Sequence, residues 1–172
     1  FLGNYNQAQL NLQLDYVRDI PVSWSAAPLT LSAGVGYRNE EFSIDPGDRA
    51  SYADGGVPIL DGPNAGRRPT PGAADFAGLQ PADAGSYDRD IYSLYLGLEQ
   101  QVTEQLQLGA AVRAEDYSDF GSNVTGKLSG RYDFTPQVAV RASLSNGFRA
   151  PSMGQIGASQ TTSLWIQPAV GA

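Results

Sequence analysis

The chain contains neither cysteine nor histidine among its 172 residues. The absence of cysteine excludes disulfides and thiolate nucleophiles, and without histidine as well the usual zinc sites and the commonest general base are lost. No apolar run approaches the ~18 to 20 residues that a membrane-spanning helix needs. Transmembrane β-strands need only about 10 tilted residues and give a weaker hydropathy signal. The lack of a long apolar run therefore does not exclude a membrane β-barrel.

Basic residues are also scarce, with 11 Lys and Arg against 18 Asp and Glu, a net charge of −7 and a pI of about 4.4. A chain this acidic is not expected to attract nucleic acid. Neighbouring carboxylates such as Glu115 and Asp116 point to opposite faces of a predicted strand, so they cannot share a substrate. The sequence offers no other catalytic arrangement, and we predict no enzyme activity, no cofactor and no metal site.

The feature that the chain does have is alternation of apolar and polar residues, which is typical of β-strands with one apolar and one polar face. It is clearest between Leu106 and Ser152, where every charge in three alternating runs falls on the polar face. Short links between runs indicate antiparallel hairpins. The fold class predicted is all-β, an antiparallel meander of about six strands. These strands are expected at residues 8–16, 29–42, 91–101, 106–116, 124–132 and 138–148.

The alternation stops in residues 45–87, which are rich in glycine, proline and aspartate. Segments such as DPGD and DGPNAG in this stretch are turn signals. Because long loops in compact domains are usually functional or disordered, we expect a partly ordered surface loop. The tail at 149–172 also loses alternation. The chain starts without Met or a signal peptide and inside a strand, so we interpret it as a piece of something larger.

Alternation alone does not say whether the apolar face meets a protein core or lipid. Links of unequal length on the two sides of the meander favour lipid, as does an apolar face made of smooth Leu, Ala, Val and Gly without charges. Aromatic residues also gather at strand ends, as in the girdles of membrane barrels. The expected rims contain Tyr37, Tyr92, Tyr117, Phe120 and Phe148 on one side, and Tyr16, Trp24, Tyr132 and Phe134 on the other.

Specific motifs support a family resemblance. RAEDYSDFGS at Arg113–Ser122, a Gly-Lys-Leu strand and LSNGFRAPSMGQ at Leu144–Gln155 resemble the barrel of TonB-dependent receptors, outer-membrane transporters of Gram-negative bacteria. The segment from Ala27 to Phe42 and the run from Pro46 to Gly56 resemble the preceding hairpin and loop. The resemblance implies that residues 1–172 form an incomplete section of a transmembrane barrel of about 22 strands, with one long extracellular loop.

The resemblance also implies function and partners. Such receptors import a scarce nutrient, of the ferric siderophore, cobalamin or glycan type, using energy that TonB transmits to a plug domain inside the barrel. The implied partners are outer-membrane lipid, the plug domain, the rest of the barrel, TonB indirectly and an unidentified ligand, with no nucleic acid. The chain contains no recognisable plug or TonB-binding box.

Candidate site residues fall into two groups. Charged residues on the polar face would be lumen-facing, where ion pairs across strands or contacts with the plug are favoured over a substrate path. They are Arg38, Glu40, Glu99, Arg113, Glu115, Lys127, Arg131 and Arg141. In the long loop, the candidates for ligand contact are Tyr52, Arg67, Arg68 and Phe76. The loop aspartates Asp45, Asp48, Asp54 and Asp61 fit no calcium-binding pattern and favour turns.

Two alternatives stay open from sequence alone. One is a soluble acidic β-sandwich that acts as a binding module, and the other is a small structural or porin-like barrel. A lipid-facing barrel predicts that Leu10, Leu12, Leu31 and Leu96 are exposed on the protein, whereas a soluble sandwich predicts that the same leucines are buried.

Overall fold

The protein is described here by a computed structural model that covers residues 1–25, 27–72 and 77–157. The sheet order is β1-β2-β3-β4-β5-β6, which confirms the predicted six-stranded meander. The strands are β1 (Gly3–Ile20), β2 (Leu29–Pro46), β3 (Gly85–Gln101), β4 (Leu106–Tyr117), β5 (Gly121–Thr135) and β6 (Val138–Ser145). Within the described sheet, β1 and β6 each have a neighbour on one side only, so the sheet is unclosed.

Helix is nearly absent from the described ranges. They contain one 3-10 turn, Arg49–Ser51, and one short helix, α1 (Met153–Gly157), in the expected tail. No helix in this part of the chain is long and apolar enough to cross a membrane. The sixth strand was expected at 138–148, but β6 is shorter and ends at Ser145.

Several strands extend beyond their predicted ranges. β1 begins at Gly3, β2 continues to Pro46 and β3 begins at Gly85. The loop between β2 and β3 is correspondingly shorter than 45–87. Alternation of apolar and polar residues depends on what the side chains contact, whereas the bounds of a strand depend on backbone hydrogen bonds. A strand can therefore continue where the alternation ends. In β2, Phe42 and Ile44 are buried apolar residues at the alternate positions that are polar earlier in the strand.

One compact unit comprises residues 9–40 and 89–151. Its strands β3 to β6 pair antiparallel, and their register keeps apolar residues on one face and polar residues on the other. Leu98, Ala110, Leu128 and Leu144 are successive cross-strand partners on the apolar face. Glu99, Gly109, Ser129 and Ser143 form the adjacent row on the polar face. Such cross-strand rows are the contacts that stabilise a sheet.

The apolar face of this unit is exposed. Leu10, Leu12 and Leu96 are 53%, 59% and 44% exposed, and Leu31 is half-buried. Only Ile91 and Tyr117 are buried hydrophobic residues among the described residues of the unit. A soluble sandwich would bury its inner-face leucines against a second sheet. The exposure therefore fits the lipid-facing interpretation and opposes the sandwich.

The other compact unit comprises the described residues within 1–8, 41–88 and 152–157. Its core consists of Phe42, Ile44, Leu79 and Met153. The long loop is held by backbone hydrogen bonds, with the Gly78 N–H donating to the Ser51 carbonyl at 2.8 Å and the Gly72 N–H to the Ala53 carbonyl at 3.0 Å. The described parts of the loop are thus ordered by a small core and by their own backbone.

Two glycines of this loop allow a matched test of that order. Gly72 and Gly62 have almost the same positive φ, +81° and +84°, but a Cβ at Gly72 would collide with the Ser51 backbone whereas Gly62 has open space. Alanine at either position should lose about 1 to 2 kcal/mol through left-handed backbone strain. Only Gly72→Ala should also displace Ser51 and speed limited proteolysis of the loop. Equal cleavage rates for Gly72→Ala and Gly62→Ala would contradict this packing.

Candidate functional site

Most polar-face arginines form ion pairs within their own strands. Arg38 lies 3.2 Å from Glu40, Arg113 lies 2.9 Å from Glu115, and Arg131 lies 2.6 Å from Asp133. Each pair joins residues two apart, which share a face of the strand. The sequence favoured ion pairs across strands or contacts with the plug. Glu40 of β2 forms one cross-strand contact, with Arg89 of β3 at 3.5 Å. The cross-strand partners of Arg113 are Tyr95 and Thr125, and those of Arg131 are Gln107 and Arg141, so these two arginines pair within their own strands.

Four predicted lumen-facing residues meet at one place on the polar face. Glu99, Lys127, Arg131 and Arg141 line an open cavity of about 340 Å³. Within the described ranges, no ion pair is formed by Glu99, Lys127 or Arg141. A second open cavity, of about 470 Å³, is lined by Tyr95, Arg113 and Lys127 among others. Among the described residues, this region therefore contains two cations without an ion-pair partner, Lys127 and Arg141, beside one such carboxylate, Glu99.

A buried arginine is the residue that the sequence interpretation missed. Arg89 is 1% exposed. Its Nε and Nη2 donate to Asp119 Oδ2 at 2.9 and 2.6 Å, and its Nη1 donates to the Pro151 carbonyl at 2.9 Å. The same Nη1 lies 3.5 Å from Glu40 Oε2. A planar guanidinium has the several donors needed to satisfy such a set at once.

Aromatic rings surround this guanidinium. Arg89 Cζ lies 5.8 Å from the Tyr117 ring centroid and 5.3 Å from that of Phe120, both within cation–π range. Phe120 contacts Tyr117 at 4.3 Å and Phe148 at 5.6 Å between centroids. Tyr117 ends β4 and contacts Phe120 and Phe148 of the expected rim, but its side chain is buried. It follows Arg113 and Glu115 on the polar face of β4, and its hydroxyl donates to Glu115 Oε2 at 3.0 Å.

These residues together form the Arg89 cluster: Arg89, Glu40, Asp119 and Pro151 with Tyr117, Phe120 and Phe148. The cluster joins three of the segments that carry the resemblance, because Glu40 lies in YRNEEF, Asp119 in YSDFGS and Pro151 in RAPS. Arg89 was missed because it precedes the predicted range of its strand, 91–101. Arg89 lies two residues before Ile91, so it has the parity of the polar face of β3, and this parity could have identified it as a polar-face residue.

The described loop candidates have local surroundings. The guanidinium of Arg68 lies 3.1 Å from Asp54, and that of Arg67 donates to Asn64 at 3.2 Å. Tyr52 ends the 3-10 turn. Phe76 lies outside the described residues. A ligand-contacting role for these four residues stays a prediction.

Three of the loop aspartates accept hydrogen bonds from backbone or side-chain N–H groups. Asp54 accepts from the Gly56 N–H at 2.9 Å and Asp61 from the Gly62 N–H at 2.7 Å, the turn role that the sequence favoured. Asp45 accepts from the Asn6 amide at 2.7 Å. No grouping of acidic residues in the described ranges could hold a metal ion.

Residues 1–171 match the sequence model of the TonB-dependent receptor-like β-barrel. The chain belongs to this family. A search of curated proteins and a search of solved structures each found no match. The family consists of outer-membrane receptors and transporters that work with a plug and TonB. In a receptor barrel the apolar face meets lipid and the polar face lines the lumen, so the described sheet is an unclosed section of such a barrel.

The Arg89 cluster gives a testable stability difference. Arg89→Met should lower the free energy of unfolding of the receptor in detergent by about 3 kcal/mol, because it leaves Asp119 and Glu40 without their buried cation. Arg113→Met, which removes a more exposed ion pair, should lose about 1 kcal/mol or less. Urea or thermal unfolding followed by heat-modifiable gel mobility measures both. Equal losses of unfolding free energy in the two variants would show that burial of Arg89 does not increase its contribution to stability.

Proposed function

We propose that the protein imports a scarce nutrient across the outer membrane by TonB-coupled active transport. The nutrient class that we propose is a ferric siderophore, cobalamin or glycan, as in the receptor family that the chain resembles in its motifs. The observation that carries the proposal is the exposed apolar face of a meander that matches the family along residues 1–171, a face without charged residues over the alternating part of each strand. This combination supports a barrel wall surrounded by lipid.

The energetics of that face favour lipid over water. Removing a fully exposed leucine side chain from water contributes about 1.5 to 3 kcal/mol, and leucine recurs along β1, β3, β4 and β5. A lysine or arginine at mid-depth on the lipid face would cost ~2 to 4 kcal/mol. The alternating part of each strand contains no such residue on its apolar face. The pattern therefore supports residence in a bilayer.

One aromatic contact near a strand end supports the same arrangement. Tyr132 and Phe134 lie 4.9 Å apart near the short β5–β6 turn. Tyr37 and Tyr92 lie 5.3 Å apart in the middle of β2 and β3, because both strands extend beyond their predicted ranges. Trp24 is 61% exposed in the β1–β2 link. Amphipathic rings favour the headgroup region of a bilayer.

A passive porin-like barrel is the alternative that the sheet geometry leaves. Its polar face would also be wet, and its edges would also need strands to complete the barrel. The two functions differ in their energy requirement. TonB-coupled import concentrates ligand and stops without energy, whereas a porin equilibrates solutes without it. Within either transporter, we propose that the chain carries no catalytic residue.

The energy requirement is the test of the proposed function. Cells that produce the complete protein should accumulate one radiolabelled ligand from a panel of ferric siderophores, cobalamin and maltodextrin. A protonophore or loss of TonB should abolish that accumulation, because TonB transmits inner-membrane energy. Uptake that persists under both treatments would replace active import with passive diffusion. Failure to take up any class would also contradict the proposed nutrient range.

The orientation of the apolar face is tested by two adjacent substitutions in the middle of β1. Leu12 is 59% exposed on the apolar face, and Asn11 is exposed on the polar face. Leu12→Arg should lower barrel stability in lipid vesicles by ~2 to 4 kcal/mol, and Asn11→Arg should change it little. Folding titrations in urea measure both variants. If Asn11→Arg is the more harmful, the two faces have been assigned the wrong way round.

A further inference from the structure

We infer that Asp61 and Gly62 form a site of spontaneous covalent modification, at which the chain converts aspartate to isoaspartate. The two residues lie exposed in the loop between β2 and β3. The Gly62 N–H donates to Asp61 Oδ1 at 2.7 Å, so this backbone nitrogen lies against the carboxyl group that precedes it. Holding two reacting groups together removes much of the barrier to an intramolecular reaction. The inference goes beyond the proposed transport and does not depend on it.

The reaction needs only water besides the chain itself. The Gly62 nitrogen bonds to Cγ of the protonated Asp61 carboxyl group, and the Cγ–OH bond breaks. The hydroxyl leaves with the amide proton as a molecule of water, and a succinimide ring remains. Water then adds to either ring carbonyl. Addition at Cγ restores aspartate, whereas addition at the backbone carbonyl carbon gives isoaspartate, in which the chain runs through Cγ and the mass is unchanged.

The backbone around Gly62 permits ring closure. Gly62 has a φ of +84°, and no described atom lies within 4 Å of the place where a Cβ would stand. A side chain at this position would oppose the rotation that ring closure requires, whereas glycine allows it. The bond to Asp61 is also the one hydrogen bond that the Gly62 N–H donates within the described residues. Ring closure therefore breaks no other hydrogen bond of this group.

A second Asp-Gly pair in the same loop lacks this arrangement. Asp54 precedes Gly55, but its Oδ1 accepts from the Gly56 N–H at 2.9 Å. Its Oδ2 accepts from Arg68 Nη1 at 3.1 Å. Both carboxylate oxygens are thus held by groups other than the Gly55 nitrogen. Moving the carboxyl group to that nitrogen would break both contacts, so we expect Asp54 to react more slowly than Asp61.

The difference between the two pairs arises inside the loop. All the contacts that distinguish them lie within residues 54–68, so the comparison does not depend on which other part of the receptor faces this loop. Isoaspartate at position 61 would add one methylene to the backbone of a turn that is closed by the Ile59 N–H donating to the Arg67 carbonyl at 2.8 Å. We therefore expect the modification to change the shape of this turn as the protein ages.

The test follows both aspartates on one peptide. The complete protein in nonionic detergent is kept near neutral pH at physiological temperature, and samples taken over several weeks are digested with trypsin. Cleavage after Arg49 and Arg67 releases a peptide that contains Asp54 and Asp61. Electron-transfer fragmentation then distinguishes aspartate from isoaspartate at each position. We expect isoaspartate to form about ten-fold faster at Asp61, the difference that about 1.4 kcal/mol of activation free energy produces.

The same protein in denaturant is the control for the effect of sequence alone. There the two Asp-Gly pairs should react within about two-fold of each other, because only the folded loop distinguishes their carboxyl groups. Equal rates at Asp54 and Asp61 in the folded protein would overturn the inference. So would a folded protein that forms no isoaspartate at Asp61 over a period in which the unfolded protein forms it.

Two neighbouring arginines test why Asp54 is protected. Arg68→Gln removes the ion pair with Asp54 and should speed isoaspartate formation there about two- to five-fold, since exposed ion pairs are weak. Arg67→Gln is the matched control, because it removes the same charge from a side chain that bonds Asn64, and it should leave the rate at Asp54 unchanged. Equal rates at Asp54 in the two variants would contradict this protection. If either variant fails to fold, the comparison of the two aspartates in the unsubstituted protein still decides the inference.

Discussion

No described residue covers the apolar face of the sheet, and most other features of the described chain follow from that constraint. Leucine and valine side chains alternate along strands whose opposite face carries the charges, yet only Ile91 and Tyr117 are buried hydrophobic residues in the described part of this unit. Such a sheet is unfavourable in water, because it exposes apolar area that folding normally buries. A bilayer supplies the missing apolar surroundings. The smoothness of the face, made largely of leucine, alanine, valine and glycine, suits contact with lipid tails and not the interlocking packing of a core.

On the polar face, which does not contact lipid, the chain is stabilised by local ion pairs, hydrogen bonds and aromatic contacts. The Arg89 cluster satisfies one buried guanidinium with two carboxylates and a backbone carbonyl from β2, the β4–β5 turn and the segment after β6. Three motifs far apart in sequence each supply an acceptor to the same cation. Removing one partner of such a buried group is far more costly than removing a surface pair, so the motifs have a structural role that needs no catalytic function.

Period-two alternation was sufficient to predict the six strands, their order and the two faces, because side-chain direction in a strand depends only on parity. It was insufficient at the strand ends. Phe42 and Ile44 reverse the polarity of their face, and Arg89 lies just before the predicted start of its strand. The site depended on register, which the sequence did not specify at single-residue resolution. Register places Arg131 opposite Arg141 and directs the other arginines to carboxylates within their own strands.

Spin-label accessibility along β4 tests the central claim most directly. The chain has no cysteine, so single cysteines at successive positions 106–117 would each carry one label within it. In lipid vesicles, we predict that oxygen accessibility peaks at even positions such as Leu108 and Val112, which face lipid. Accessibility to a polar nickel chelate should peak at odd positions such as Gln107 and Arg113. A two-residue period with opposite phases supports a barrel wall between lipid and a wet lumen. Nickel accessibility at every position, or no period of two, would contradict it.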